Sequence, residues 1–265
     1  MPDRRSLPPE LYTEEYFLKA CEGYEEYSET QGERLSRRLS AAFAVAAVRP
    51  GMRVLDVGCG RGEILRHCAR LGADAFGVDY AAVAVDMASR AVAGEQQAPG
   101  KTGVAQSDAK HLPFPSAHFD RVLMFDVVEH LFPWELDQSL EEIRRVLKPG
   151  GAFIVHTAPN VWYDHYAYPL VRFVRILMGQ GARYPKNPRA LNVSANVDVH
   201  VNEQSQWSLR QVLQRAGFQH VRAWLESPPQ NRQENALLGT ARVVLFRMPP
   251  FRYFFEREVF AVGEK

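Results

Sequence analysis

Three glycines at alternate positions follow a short apolar run near residue 55. Residues 54–63 read Val-Leu-Asp-Val-Gly-Cys-Gly-Arg-Gly-Glu, with the acidic residue Asp56 two positions before Gly58. Glycine permits a tight strand-to-helix turn and a close approach of the backbone to a ligand, so this spacing predicts a turn beneath a bound molecule. The next apolar run ends at Asp79. Its carboxylate is expected in the same crevice, where it can accept hydrogen bonds from both hydroxyls of a ribose.

Six further segments accompany the glycine motif: Gly77-Val78-Asp79-Tyr80, Ser107-Asp108-Ala109, Leu112-Pro113-Phe114, Phe119-Asp120, Val128-Glu129-His130 and Leu147-Lys148-Pro149-Gly150-Gly151. Together they resemble the class I S-adenosylmethionine-dependent methyltransferases, whose glycine motif reads acidic-x-Gly-x-Gly-x-Gly. A nicotinamide-binding fingerprint places two residues between its second and third glycines, whereas Arg61 alone stands there in this chain. The resemblance covers residues 50–160 and, more loosely, residues 200–225.

The resemblance implies S-adenosylmethionine as cofactor and assigns its contacts residue by residue. The methionine part is expected over the glycine turn, the ribose diol at the second strand, and the adenine beside the third. The expected cofactor-binding residues are Asp56, Gly58, Gly60, Asp79, Tyr80, Asp108, Ala109, Phe125 and Asp126.

Four histidines are weighed as a catalytic base. One of them, His165, stands among aromatic residues of the insertion, and the other three are the candidates. His130 follows the fourth predicted strand by one helical turn, His156 ends the fifth strand, and His200 stands near the end of a long connection. Methyl transfer from a sulfonium mainly requires alignment of the acceptor, so a base matters only where the acceptor must lose a proton. For each histidine, a neutral imidazole with a structural hydrogen bond remains the alternative.

No metal is expected at this site. Catechol-type methyltransferases of the same fold bind a divalent cation through an aspartate after the fourth strand and an Asp-Asn pair after the fifth. Asp126 can match the first of these, but the second reads Pro159-Asn160 here. One carboxylate is therefore missing, and hard cations prefer oxygen ligands that carry negative charge.

Apolar runs of strand length alternate with amphipathic runs of helix length from Met52 onward. This alternation predicts an α/β fold with parallel strands and crossover helices, and the family resemblance implies a doubly wound, Rossmann-like sheet of seven strands, mostly parallel. The strands are predicted at 53–57, 73–78, 103–106, 121–125, 152–157, 218–225 and 241–246, and the helices at 63–71, 81–92, 133–147 and 205–216. Residues 1–49 are predicted to be a helical segment preceding a methyltransferase domain at 50–265. An insertion at 158–203 is expected on the acceptor side.

Composition narrows the classes of partner. The 265 residues carry 32 basic and 31 acidic side chains. The net charge is therefore close to zero, and no electrostatic field of the whole protein favours binding to nucleic acid or to a membrane. Three cysteines without metal-ligand spacing favour a reducing compartment, and the N-terminus lacks an export signal, so a cytoplasmic location is expected. No membrane span is predicted. The basic, aromatic-rich insertion leaves peripheral membrane contact open, and the oligomeric state is not predicted.

The sequence thus predicts methyl transfer from S-adenosylmethionine to a small molecule, at an oxygen of a sugar, glycan precursor or specialised metabolite. A quinone or lipid acceptor is the alternative within the same class. A nicotinamide-dependent oxidoreductase and a non-catalytic cofactor-binding scaffold are the alternatives from other classes.

Overall fold

A computed structural model of the chain describes residues 5–95, 97–191, 193–226 and 243–265. Seven strands form one sheet in the order β3-β2-β1-β4-β5-β7-β6. The first five are parallel to one another, whereas β7 runs antiparallel to both of its neighbours. The strands are β1 (Arg53–Val57), β2 (Asp74–Asp79), β3 (Thr102–Gln106), β4 (Phe119–Phe125), β5 (Leu147–Thr157), β6 (Gln219–Leu225) and β7 (Val259–Glu264). The predicted fold class is confirmed.

The four predicted helices are present with ends shifted by at most one residue. Ser205 caps the last of them, and its hydroxyl accepts a hydrogen bond from the backbone of Ser208, an arrangement that satisfies an otherwise unpaired N–H group. The helices are α1 (Glu14–Lys19), α2 (Tyr24–Thr30), α3 (Arg37–Ala46), α4 (Glu63–Arg70), α5 (Ala82–Ala93), α6 (Pro133–Val146), α7 (Tyr168–Leu177), α8 (Asn196–Val199) and α9 (Gln206–Arg215), with a further short helix at Arg252–Phe255.

The seventh strand is not where the sequence predicted it. Residues 241 and 242 lie outside the described part of the chain, and residues 243–247 are helical. Leu245 and Phe246 pack beside Tyr163 and Tyr168 of the insertion. A short apolar run does not distinguish a strand from a buried helical turn, and in this chain β7 at Val259–Glu264 fills the place between β5 and β6.

The sheet is buried on both faces, as a parallel sheet between two layers of helices requires. Side chains of β1 alternate between two apolar clusters: Leu55 and Val57 belong to one cluster, and Val54 belongs to the other. Side chains of α6 and α9 cover the first face, and side chains of α3 and α4 cover the second. The carboxyl ends of β1, β2 and β4 therefore open at one edge, where the glycine turn lies.

Arg61 attaches the N-terminal segment to the glycine turn. Its guanidinium is buried and donates to the backbone carbonyls of Phe17 and Glu22, at 2.5 Å in both cases. It also donates to the Glu63 carboxylate at 2.9 Å. An arginine at 2% exposure is tolerated only where its donors are satisfied, so these contacts fix the loop before α2 above the carboxyl ends of the strands.

The insertion after β5 is largely helical. It begins with a π-helical turn at Tyr163–Ala167, continues into α7, and returns through two short turns and α8. Tyr163, Ala167 and Tyr168 are buried against Phe255. The insertion therefore rests on a small apolar cluster of its own, separate from the two clusters that cover the sheet. Among the described residues, no helix is both long and apolar enough to cross a membrane.

Candidate active site

The glycine turn forms the floor of a cavity at the carboxyl ends of β1, β2 and β4, which we call the glycine-loop cavity. Gly58, Gly60 and Gly62 all have positive φ, of 78°, 50° and 83°, where L side chains are strained. A Cβ on Gly58 would lie 2.3 Å from a methyl group of Val127. The lining includes every predicted cofactor-binding residue, namely Asp56, Gly58, Gly60, Asp79, Tyr80, Asp108, Ala109, Phe125 and Asp126.

Two acidic side chains face this cavity from neighbouring strands. Asp79 accepts hydrogen bonds from the backbone N–H groups of Gly60 and Ala81, each at 3.0 Å. Burial raises the pKa of Asp79. Burial, together with Asp79 and Glu63, raises the pKa of Asp56 to about 8. Asp56 and Asp79 form no ion pair with a cation of the glycine turn. Their carboxyl oxygens can therefore accept hydrogen bonds from the hydroxyl or ammonium groups of a ligand.

Lys110 lines the part of the glycine-loop cavity around Asp108 and Glu135. Its ammonium lies 2.8 Å from Asp108 Oδ2 and 2.8 Å from Glu135 Oε1, and its backbone N–H donates to Asp108 Oδ1. Tyr80 is exposed, with its ring centroid 6.0 Å from the same ammonium. The Asp108 carboxylate is therefore already paired, and any further donor must share its oxygens with Lys110.

The N-terminal segment supplies an aromatic wall to the glycine-loop cavity. Tyr12, Tyr16 and Phe17 all line it. The ring of Tyr12 meets those of Tyr16 and His130 edge to face, with centroids 5.4 and 5.7 Å apart. These residues belong to the segment that the sequence predicted as a separate helical unit, and that division of domains stays a prediction.

A second cavity lies beside the first, and we call it the histidine cavity. Its volume of about 330 Å³ falls within the size range of small-molecule sites. The insertion contributes Ala158, Pro159, Val193, Asn196 and His200 to its lining. The two cavities share five lining residues: Tyr16, Cys21, Glu22, Asp126 and His130. They therefore meet across one wall.

Two imidazoles and a carboxyl group converge on the histidine cavity. His130 and His200 pack edge to face with ring centroids 5.0 Å apart, and one donor atom from each of Glu129, His130 and His200 lies within 4.8 Å of the others. The insertion is held there by Val201 and Asn202, whose N–H groups donate to the Glu129 carbonyl. This convergence depends on the return of the insertion onto the turn after β4.

Burial sets the protonation of these three side chains. It lowers the pKa of His130 to about 3 and that of His200 to about 4, and Nδ1 of each ring is buried without a hydrogen-bond partner. Burial, reinforced by Asp126, raises the pKa of Glu129 to about 8, although its carboxyl accepts a hydrogen bond from the Thr157 hydroxyl at 2.7 Å. The cluster thus offers neutral imidazoles and one carboxyl group that titrates near physiological pH.

The cluster of Glu129, His130 and His200 has the spacing of a metal-binding site. Two imidazoles and a carboxylate form a donor set that suits zinc, and it differs from the catechol-type set against which the sequence argued. The expected absence of a metal therefore stays a prediction.

Comparison with known proteins places the chain in a family. Residues 55–155 match the family described as Methyltransferase domain. The ubiquinone/menaquinone biosynthesis C-methyltransferase UbiE of Ralstonia pickettii is 31% identical over 181 residues, covering 68% of this chain and 72% of that protein. The chain belongs to the class I S-adenosylmethionine-dependent methyltransferases. It is an enzyme whose cofactor is S-adenosylmethionine.

Solved structures of the family have the same fold. A methyltransferase of Haloferax volcanii, in complex with the Trm112 activator, superimposes with a TM-score of 0.61 at 20% identity, over 98% of this chain and 99% of that one. An S-adenosylmethionine-dependent methyltransferase of Archaeoglobus fulgidus gives a TM-score of 0.58 at 20% identity, over 91% of this chain and all of that one. At this identity the likeness concerns the fold alone.

In this methyltransferase His156 does not have the surroundings of a base. Its side chain is fully buried, with Nδ1 3.0 Å from Asp126 and Nε2 2.9 Å from Glu258, and it lines neither cavity. Burial alone would lower its pKa, but the two carboxylates outweigh burial and raise it to about 9. The predicted base role of His156 stays a prediction, and these surroundings argue against it, because a protonated imidazole between two carboxylates has no lone pair to accept a proton.

Arg38 completes this buried network of charges. It lies 2.9 Å from Glu258, 3.2 Å from Glu22 and 3.6 Å from Asp126. Asp126 itself has φ of 54°, a left-handed backbone that a non-glycine residue keeps only when its surroundings over-determine it. The network therefore holds a strained residue in the wall that separates the two cavities.

Replacement of His156 by glutamine is expected to lower stability in a pH-dependent way. The folded-state pKa of about 9 lies above the ordinary value of 6.5, so the imidazolium stabilises the fold fully below pH 6.5, and this contribution disappears as pH rises through about 9. A shift of this size corresponds to roughly 3 kcal/mol. Urea unfolding of both proteins should show a difference that shrinks as pH increases from 6 to 10. A difference independent of pH would contradict the assignment.

Proposed function

We propose that this methyltransferase transfers a methyl group to a ring carbon of a hydroxylated, quinone-type acceptor bound in the histidine cavity. The relative from Ralstonia pickettii bears the name of a ubiquinone/menaquinone C-methyltransferase, which favours the quinone alternative over the oxygen of a sugar. The observation that carries the proposal is the wall of residues shared by the two cavities. A donor in one cavity and an acceptor in the other would meet there.

The glycine-loop cavity has features that suit S-adenosylmethionine, since Gly58 and Gly60 line it without side chains and both have positive φ. The cofactor supplies a methyl group already activated on a positively charged sulfur. Asp79 would accept from the ribose hydroxyls, and Asp56 would face the methionine ammonium. Asp108 and Ala109 would contact the adenine, and Phe125, Asp126 and Tyr80 would close the remaining sides.

Glu129 is the group that we propose as the base. A catalytic carboxylate works best when its pKa is near the working pH, and the pKa of Glu129 is about 8. His130 and His200 each have an unpartnered, buried Nδ1. In their neutral form these nitrogens accept hydrogen bonds from ring hydroxyls, so we assign them to orientation of the acceptor.

The proposed step conserves atoms and charge. Glu129 takes a proton from a ring hydroxyl, which makes the adjacent ring carbon electron-rich. With the donor bound in the glycine-loop cavity, this carbon would take the methyl group as the sulfur–methyl bond breaks, and the electron pair of that bond would stay on the sulfur. The ring carbon would then lose its own proton to solvent, Glu129 would return the first proton to the ring oxygen, and the methylated product would leave. The protein contributes mainly alignment and exclusion of water, which can supply on the order of 7–11 kcal/mol.

Replacement of Asp79 by asparagine is expected to weaken binding of S-adenosylhomocysteine by about 10- to 100-fold, because a charge-assisted hydrogen bond contributes roughly 1.5–3 kcal/mol. Titration calorimetry measures the affinity. Asp86→Asn is the matched control, since Asp86 lies on the exposed face of α5 and pairs only with Arg90 among the contacts described. Equal affinities of the two variants would contradict the assigned role of Asp79.

Replacement of Glu129 by glutamine is expected to reduce kcat/KM for methyl transfer by about 10²- to 10⁴-fold with the affinity for S-adenosylhomocysteine unchanged. In the wild type, kcat/KM should rise as pH increases through about 8, because the carboxyl group accepts a proton only once it is ionised. The glutamine variant should lack this rise. Glu141→Gln, on the exposed surface of α6, should retain it, and a rise preserved in the Glu129 variant would exclude Glu129 as the base.

The acceptor class is tested with methyl-labelled donor. Detergent-solubilised demethylated quinol and a free hydroxylated sugar are offered separately, and label incorporated into each is counted. We expect label on a ring carbon of the quinol, in a smaller amount with the Asp79→Asn variant because its affinity for the cofactor is reduced. Label on the sugar but not on the quinol would overturn the proposed acceptor and restore the alternative at oxygen.

A further inference from the structure

Helix α7 is apolar on two sides, of which only one is covered by other described residues of the chain. Tyr168 is 2% exposed and belongs to the small cluster around Phe255, with Val171 packed against it. Away from this cluster, Leu170, Phe173 and Leu177 are 56%, 58% and 72% exposed. A helix that is hydrophobic on more than its core-facing stripe needs a second apolar environment, and a contiguous exposed patch of this kind marks an interaction site.

The exposed apolar surface extends along the whole helix. Tyr166, Val174, Ile176 and Met178 add to it, with between 44% and 63% of each side chain exposed. We call these four residues together with Leu170, Phe173 and Leu177 the α7 face. Large apolar side chains exposed singly need no explanation, but seven of them within residues 166–178 form one patch.

The segment that carries and follows α7 is basic. Residues 164–190 contain Arg172, Arg175, Arg183, Lys186 and Arg189, and Asp164 as the one acidic residue. Arg172 donates to the Tyr184 carbonyl and Arg189 pairs with Glu203, whereas Arg183 and Lys186 are exposed. An exposed apolar helix face in a basic segment is the combination that binds the interface of an anionic bilayer.

We propose that the α7 face docks the enzyme on an anionic lipid bilayer, with Phe173 and Leu177 inserted among the acyl chains and Arg183 and Lys186 against the headgroups. The charges decide between a bilayer and a second copy of the chain. A symmetric dimer through this face would bring the two sets of cations together, which costs energy, whereas anionic headgroups would neutralise them.

The position of the α7 face connects docking to catalysis. The same insertion that carries α7 lines the histidine cavity with Pro159, Asn196 and His200. An acceptor with a lipid tail would leave its ring in that cavity and its tail toward the bilayer. This connection rests on the proposed quinone acceptor, but the docking itself depends only on the surface of α7.

Vesicle cosedimentation tests the proposal with the full chain. The protein is mixed with vesicles of phosphatidylcholine alone or of phosphatidylcholine and phosphatidylglycerol, at low and high salt. We expect binding to the anionic vesicles that weakens with salt, and a loss of at least about 10-fold in the double variant Phe173→Asp and Leu177→Asp. Leu71→Asp, an exposed leucine at the end of α4, is the matched control and should bind like the wild type.

The variants Arg183→Glu and Lys186→Glu separate the electrostatic contribution from the apolar one. They should reduce binding to anionic vesicles without affecting S-adenosylhomocysteine affinity, which reports that each variant is folded. Failure of the wild type to bind either vesicle would overturn the proposal, as would an equal loss in Leu71→Asp. A wild-type dimer in sedimentation that dissociates in the double variant would assign the α7 face to a second copy instead. Vesicle binding without quinol methylation would refute the acceptor and leave the docking surface intact.

Discussion

The geometry of the candidate active site in this methyltransferase depends on a buried network of oppositely charged side chains around Asp126. The network joins parts of the chain that are far apart in sequence: Glu22 and Arg38 from the N-terminal segment, His156 from β5 and Glu258 just before β7. Removal of one member would leave a buried charge without a partner, which costs several kcal/mol. This mutual dependence fixes the N-terminal segment, the sheet edge and the wall between the two cavities as one unit.

The network also explains why neighbouring acids differ in protonation. Burial acts on Asp126, Asp56 and Glu129 in the same direction, but the opposite charges of His156 and Arg38 outweigh it only for Asp126, whose pKa is lowered. Among the described residues, neither of the other two acids forms an ion pair, and their pKa values rise to about 8. Carboxyl groups whose pKa values differ in this way can have different roles, one structural and the others in acid–base chemistry. The paired aspartate maintains geometry, and the unpaired acids remain able to respond to a ligand.

The sequence predicted those features that are local along the chain. The glycine turn follows from residues 54–63, because spacing and φ requirements belong to neighbouring positions. The sequence does not single out Glu129, since its surroundings arise from burial against Thr157 and from the return of the insertion. His156 is a candidate base from its place in the sequence alone, and the end of a strand does not reveal which partners surround a side chain. The surroundings of Glu129 and of His156 depend on contacts between residues 28 or more positions apart in the sequence. A local sequence pattern does not contain such contacts.

The insertion is a second case in which the sequence does not show which side chains pack against each other. Its basic, aromatic-rich composition leaves peripheral membrane contact open, but composition does not show whether an apolar helix in it is a covered lid or a docking surface. The difference lies in the small cluster around Phe255, which covers the side of Tyr168 and leaves Leu177 in solvent. Because this cluster is separate from the sheet core, the insertion can present apolar surface without exposing the core itself. Under the proposed function, one continuous segment contributes both to the cavity for the reacting ring and to an apolar exterior for the rest of an acceptor.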